Sequence, residues 1–120
     1  MFALSSELKF HLYSQPTDMR KSFDGLSGLI QNHLGSNPLS GDVFIFINKT
    51  RNKVKLLHWQ GGGFTLYYKR LEEGSFEIPQ YSDKVGSISL SYTHMAMIID
   101  GLSIKNLPQR KRYNTSSESA

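Results

Sequence analysis

Residues 41–79, GDVFIFINKTRNKVKLLHWQGGGFTLYYKRLEEGSFEIP, constrain this chain more than any other stretch. Apolar-rich runs alternate there with short turns, the signature of strands joined by tight connections. Val43 to Ile47 form an almost continuous apolar run, suited to a strand buried on both faces. Asn48-Lys49-Thr50-Arg51-Asn52 is a polar turn, and Lys53 to Trp59 return with Lys53, Lys55, Leu57 and Trp59 on one face and Val54, Leu56 and His58 on the other. Gln60-Gly61-Gly62-Gly63 makes the next turn, Phe64 to Lys69 a third strand, and Ser75 to Ile78 a fourth that Pro79 stops. The expected result is an antiparallel meander.

The charge follows the same stretch. Between Val43 and Leu71 there is no acidic residue, while Lys49, Arg51, Lys53, Lys55, Lys69 and Arg70 all lie within it. A second basic window holds Lys105, Arg110, Lys111 and Arg112. Without these two windows the net charge of +4 would turn negative, so the positive charge is concentrated rather than spread. Concentrated positive charge on strands suits a polyanion, because lysine and arginine neutralise phosphates and exposed aromatics stack on bases. A solvated strand face is the competing explanation of the same charges, and core filling the competing explanation of Trp59, Tyr67 and Tyr68.

On the N-terminal side, Leu8, Phe10 and Leu12 alternate with Lys9, His11 and Tyr13, a half-buried strand that Gln15-Pro16 ends. A helix is expected over Asp18 to Leu34, capped by Thr17 or Asp18 and closed at Gly35. Met19, Phe23, Leu26, Leu29, Ile30, His33 and Leu34 form its apolar stripe. Gly25 and Gly28 cost about 1 kcal/mol each inside a helix, and a close approach to the sheet would explain them. Beyond the meander, Ser87 to Leu90 is a possible short strand. Tyr92 to Asp100 is a second short helix, capped by Ser91 or Thr93 and ended by Gly101. The fold expected is α+β: a single domain over residues 1–108, with its core in 8–79 and a four- to five-stranded antiparallel sheet. One main helix and a short C-terminal helix pack on it, and residues 109–120 form a polar, disordered tail.

Catalytic chemistry finds little support. His11, His33, His58 and His94 sit on different elements without metal-ligand spacing, and no metal or cofactor is expected. Asp18, Asp24, Asp42, Asp83 and Asp100 each have a plain role as a cap, loop or helix end. The triple glycine lacks the lysine and following helix of a phosphate-binding loop. The chain has no cysteine, no apolar run of membrane length, and no basic-then-apolar opening of a signal peptide, which fits a cytoplasmic protein.

Two segments carry a resemblance. Thr17 to Leu26, TDMRKSFDGL, and Tyr68 to Phe76, YKRLEEGSF, with Pro79, resemble the two signature motifs of a small accessory protein of the IS66 group of bacterial insertion sequences, called TnpB or Orf2-like. Ser40-Gly41, Val43 to Phe46, Lys53 to Leu57 and Trp59 to Phe64 follow in the family's order, so the match runs from about residue 8 to 108. Gln15 and Ser22 stand where the family usually has glycine, and Gln60 where it often has an acidic residue. The resemblance implies a non-catalytic accessory role in transposition, beside a separate transposase that carries the catalytic carboxylates.

The expected mechanism is contact with the DNA backbone at the element ends through Lys49, Arg51, Lys53, Lys55, Lys69 and Arg70. Arg20, Lys21 and Asp24 form a second patch, for DNA or for a partner. The alternative is a protein-interaction module that binds the transposase without touching DNA, which the mixed charges of Asp18, Arg20, Lys21 and Asp24 would suit.

Overall fold

The computed structural model describes residues 4–79 and 86–101. Its elements are β1 (Phe10–Tyr13), α1 (Phe23–Asn32), β2 (Val43–Ile47), β3 (Lys53–Gln60), β4 (Gly63–Arg70), β5 (Ser87–Leu90) and α2 (Tyr92–Ile99). They build one five-stranded sheet in the order β4-β3-β2-β1-β5 with helices on both faces, an α+β arrangement. The tail and the basic window from Lys105 to Arg112 lie outside the described residues.

The sheet is mixed. β2, β3 and β4 form the expected antiparallel meander, and β5 pairs antiparallel with β1. β1 and β2, however, run parallel, with Phe10 opposite Val43 and Leu12 opposite Ile45. Chain reversal explains it. The connection from β1 to β2 contains α1, and a helical crossover returns the chain to the end where it started.

β2 is buried along its whole length, as its unbroken apolar run requires. Its alternation divides the interior in two. Val43, Ile45 and Ile47 join Phe10, Leu12, Val54, Leu56 and Phe76 under α2, which contributes Met95 and Ile98. Phe44 and Phe46 join Tyr13 and Leu57 under α1, which contributes Leu26 and Ile30. Each buried aliphatic side chain removes enough apolar surface for about 1.5–3 kcal/mol, so both helices are held mainly by packing.

The hairpin between β3 and β4 follows from Gly61 and Gly62, at φ 60° and 82°, which meet the demand of a two-residue turn for positive φ at both positions. Ser91 caps α2 as expected, its hydroxyl accepting from the amide of His94 at 3.1 Å.

Three expectations are corrected. α1 begins at Phe23 behind Ser22, not at Asp18, and residues 18–21 form a turn closed by the Lys21 amide donating to the Asp18 carbonyl at 3.1 Å. Ser75 to Ile78 is not a strand. After β4 the chain turns at Gly74, Phe76 sinks into the core under α2, and the fifth strand is Ser87–Leu90. Gly25 and Gly28 do not admit a close helix–sheet contact. A Cβ at Gly25 would meet Lys21 at 3.1 Å, and one at Gly28 would meet only the Asn32 amide at 4.0 Å.

Candidate nucleic-acid interface

The basic turn between β2 and β3 is built around one side chain. The Asn48 carboxamide accepts from the amides of Asn52 (3.0 Å) and Lys53 (2.9 Å) and donates to Asn52 Oδ1 (2.8 Å) and Thr50 Oγ1 (3.1 Å). Arg51 takes φ 58°, a left-handed position seldom used outside glycine and asparagine. The segment after β4 clasps this turn from the side. Leu71 N donates to Asn52 O at 2.7 Å and Phe76 N to Arg51 O at 2.6 Å, while the Phe76 ring is buried. The turn is thus held from within by Asn48 and from outside by the second motif.

The first motif closes on the same end of the sheet. Thr17 N donates to Ile47 O at 2.9 Å, which fixes the chain at the end of β2. Lys55 then reaches across from β3. Its side chain is on the α1 face beside Leu57 and is only 6% exposed. Its ammonium donates to the carbonyls of Met19 (2.8 Å) and Lys21 (2.7 Å) and lies 4.7 Å from the centre of the Tyr68 ring. This cation pins the turn that precedes α1. Asp18 completes the turn, accepting from the Arg20 amide at 2.9 Å and from the Arg20 guanidinium through Nε and Nη2 at 2.6–3.1 Å. Those bonds hold the Asp18 carboxyl at about 2, well below its ordinary 3.8, and raise Arg20 in turn.

Between the two turns lies an open groove of about 430 Å³, lined by residues 17–20, 48–50, Lys53 and Tyr68. It brings Arg20 together with Lys49 and Lys53, although 28 or more residues separate them in sequence. Arg51 stands on the other side of the turn with Lys49, facing a smaller pocket of about 80 Å³ with Leu12, Tyr13 and Ile78.

The remaining expected site residues divide. Arg70 is opposite Lys53 at the end of the β3–β4 ladder, and its Nε donates to Glu72 at 3.0 Å. Lys69 points to the other face of the sheet, because neighbouring strand residues alternate, and there its ammonium donates to Ile99 O at the end of α2, 2.7 Å away. Lys21 and Asp24 are exposed near the start of α1 and do not line the groove.

Tyr68 is 54% exposed rather than core, whereas Tyr67, one position earlier, packs on the core under α2. Trp59 is part-buried against Phe64, with ring centres 5.0 Å apart. Strand parity carried the signal that separates Tyr67 from Tyr68, once the two-residue hairpin fixes the register.

Among the described residues no three His, Cys, Asp or Glu side chains come together in a way that could hold a metal ion. His11 is engaged elsewhere, 2.8 Å from Asp42 and stacked on Phe44. No helix among the described residues is long and apolar enough to cross a membrane.

A sequence profile of the family described as IS66 Orf2-like protein matches residues 8–109, and this chain belongs to that family. Membership ties it to an accessory role in the transposition of an insertion sequence. Over 102 residues it is 31% identical to uncharacterized protein y4jC of Sinorhizobium fredii, covering 85% of this chain and 86% of that one. Over 86 residues it is 34% identical to uncharacterized protein y4hO of the same organism, covering 72% and 73%. No solved structure matches the chain.

Proposed function

We propose that this protein is a non-catalytic, cytoplasmic accessory factor of its insertion sequence that contacts the phosphate backbone of DNA beside the transposase. The observation that carries the reading is the groove, where Arg20, Lys49 and Lys53 line one cleft against a single carboxylate, Asp18, already engaged by Arg20. Arg51 and Arg70 extend the basic surface around it. Lys55 serves the reading indirectly, by fixing the turn that presents Arg20.

Each phosphate contact releases condensed counterions, so affinity falls with salt at a slope of about 0.9 per contact on duplex DNA and about 0.7 on single strands. A titration of labelled DNA at several salt concentrations tests this. Lys49→Ala with Lys53→Ala is expected to weaken binding to all sequences and to lower the slope by about 1.5–2. An unchanged affinity and slope would overturn the reading.

The rival, a module for the transposase alone, is favoured by one observation: β4 ends the strand order, and among the described residues nothing pairs with its outer side. In a two-residue hairpin the pair flanking the turn is hydrogen-bonded, so the backbone groups of Phe64, Leu66, Tyr68 and Arg70 face outward and could take a strand from a partner. Retention of the transposase on tagged protein after nuclease treatment, with no DNA binding at low salt, would decide for the rival.

A further inference from the structure

We infer that the groove between the two turns is a site for one unpaired nucleotide, with its base on Tyr68 and its flanking phosphates on Lys49, Lys53 and Arg20, so that the DNA bound is single-stranded. The inference deepens the DNA reading above and rests on it.

Three features carry it. First, Tyr68 is the one tyrosine among the described residues that is more than half exposed, and it lines the open groove. The base faces of a duplex are stacked on one another and are not offered to a tyrosine ring; those of an unstacked base are. Second, the ring is held. The Lys55 ammonium lies 4.7 Å from its centre and is itself fixed by two carbonyls, a cation–π contact that favours one placement of the ring and lowers the cost of ordering it when a base stacks. Third, the dimensions and charge agree. A groove of about 430 Å³ falls at the small-ligand end of binding-site volumes, roughly 300–1,000 Å³, and three cationic side chains line it against one carboxylate. The Asp18 carboxylate is spanned by Nε and Nη2 of Arg20, which moderates its repulsion of a phosphate. A basic face made for duplex backbone would need the cations but not the ring.

The test uses the full chain and two probes of equal length: a single-stranded oligothymidylate and a hairpin duplex, each labelled, at one fixed salt concentration. Tyr68→Leu is expected to weaken single-strand binding roughly 5- to 150-fold, the range for one base–aromatic stack. Duplex affinity should stay as it was, and Tyr68→Phe should restore single-strand binding. Equal single-strand affinity for wild type and Tyr68→Leu would overturn the inference, as would an equal loss for both probes.

Because Tyr68 also touches Lys55, a second measurement avoids the variant. An oligonucleotide carrying one 2-aminopurine should lose emission on binding wild-type protein, through stacking on the ring. Binding without quenching at any position of the label would overturn the inference. The two levels separate cleanly. Failure of the wild type to bind either probe at low salt removes the DNA reading and this inference together, whereas binding of both probes without a role for Tyr68 removes this inference alone.

Discussion

Replacing Lys55 with methionine keeps the aliphatic stem beside Leu57 and deletes only the ammonium. Two hydrogen bonds from a charged donor to the carbonyls of Met19 and Lys21 are lost, each worth about 1.5–3 kcal/mol. The contact with the Tyr68 ring goes too, at about 0.5–1 kcal/mol. Against these stands the relief of no longer burying an ion, which offsets several kcal/mol. The net expectation is a loss of about 2 kcal/mol, or a fall in Tm of about 8 °C for a chain of this size. The loss should be local as well as global. Amide exchange at residues 18–21 should accelerate more than exchange in β2, since the turn loses its anchor while the strand keeps its ladder. Lys53→Met is the control. It is on the same face of the same strand but lines the open groove, so its stability should change by less than about 0.5 kcal/mol, while DNA affinity falls. A Lys55→Met protein with wild-type Tm and wild-type exchange at residues 18–21 would refute the idea that this lysine organises the first motif.

Two further outcomes follow from the packing and the charges. Gly28→Ala should stabilise the protein by about 1 kcal/mol, because α1 gains helix propensity and the added methyl meets only the Asn32 amide at 4.0 Å; thermal unfolding reads it, and a drop in Tm would restore the close-approach explanation. Asp18 should titrate near 2 in the folded protein, against an ordinary 3.8, with its carboxyl carbon shift as the readout. A depressed carboxyl contributes stability that is present above the unfolded value and lost as pH falls through the folded one, so the stability Asp18 contributes should be lost between about pH 4 and 2 while the Arg20 contact itself opens only near pH 2, and Arg20→Ala should return the titration to the ordinary range.

What the sequence carried of this was governed by period and by turn chemistry. The unbroken run Val43–Ile47 could only be an interior strand, and the glycine run marked a hairpin turn, although only the structure shows that Gly61 and Gly62 alone form it, with Gln60 and Gly63 paired, and so set the β3–β4 register. Alternation also placed Lys55 on one face with Leu57, the face that α1 covers in the structure. What alternation could not reveal is that this lysine would be buried. Lysine is almost always exposed, and its partners are two carbonyls more than thirty residues earlier, for which no local pattern exists. The same contact explains the late start of α1, since a tertiary cation takes the carbonyls of Met19 and Lys21 that a longer helix would have used internally. Ser75–Ile78 reads as a strand because Phe76 and Ile78 alternate with polar residues, yet the phenylalanine is a core plug beside the basic turn. The parallel pairing of β1 and β2 was hidden for a different reason: strand direction is a property of the connection, and a sequence pattern is the same read either way along a sheet.

The place of β1 in the strand order has a consequence in time. β2, β3 and β4 are joined by short turns and can pair as soon as residues 43–70 exist as chain. β1 is made first but lies between β2 and β5, and its partner in β5 is some eighty residues away, with Phe10 opposite Leu90. Contacts of such separation are the slow ones, because the intervening chain must be closed into a loop before they form. On the ribosome the N-terminal strand therefore waits, one edge unfilled, until nearly the last of the described residues has been added. The meander that carries the basic turn is in hand well before that; the sheet is completed only when β1 and β5, which flank the meander in sequence, pair with each other.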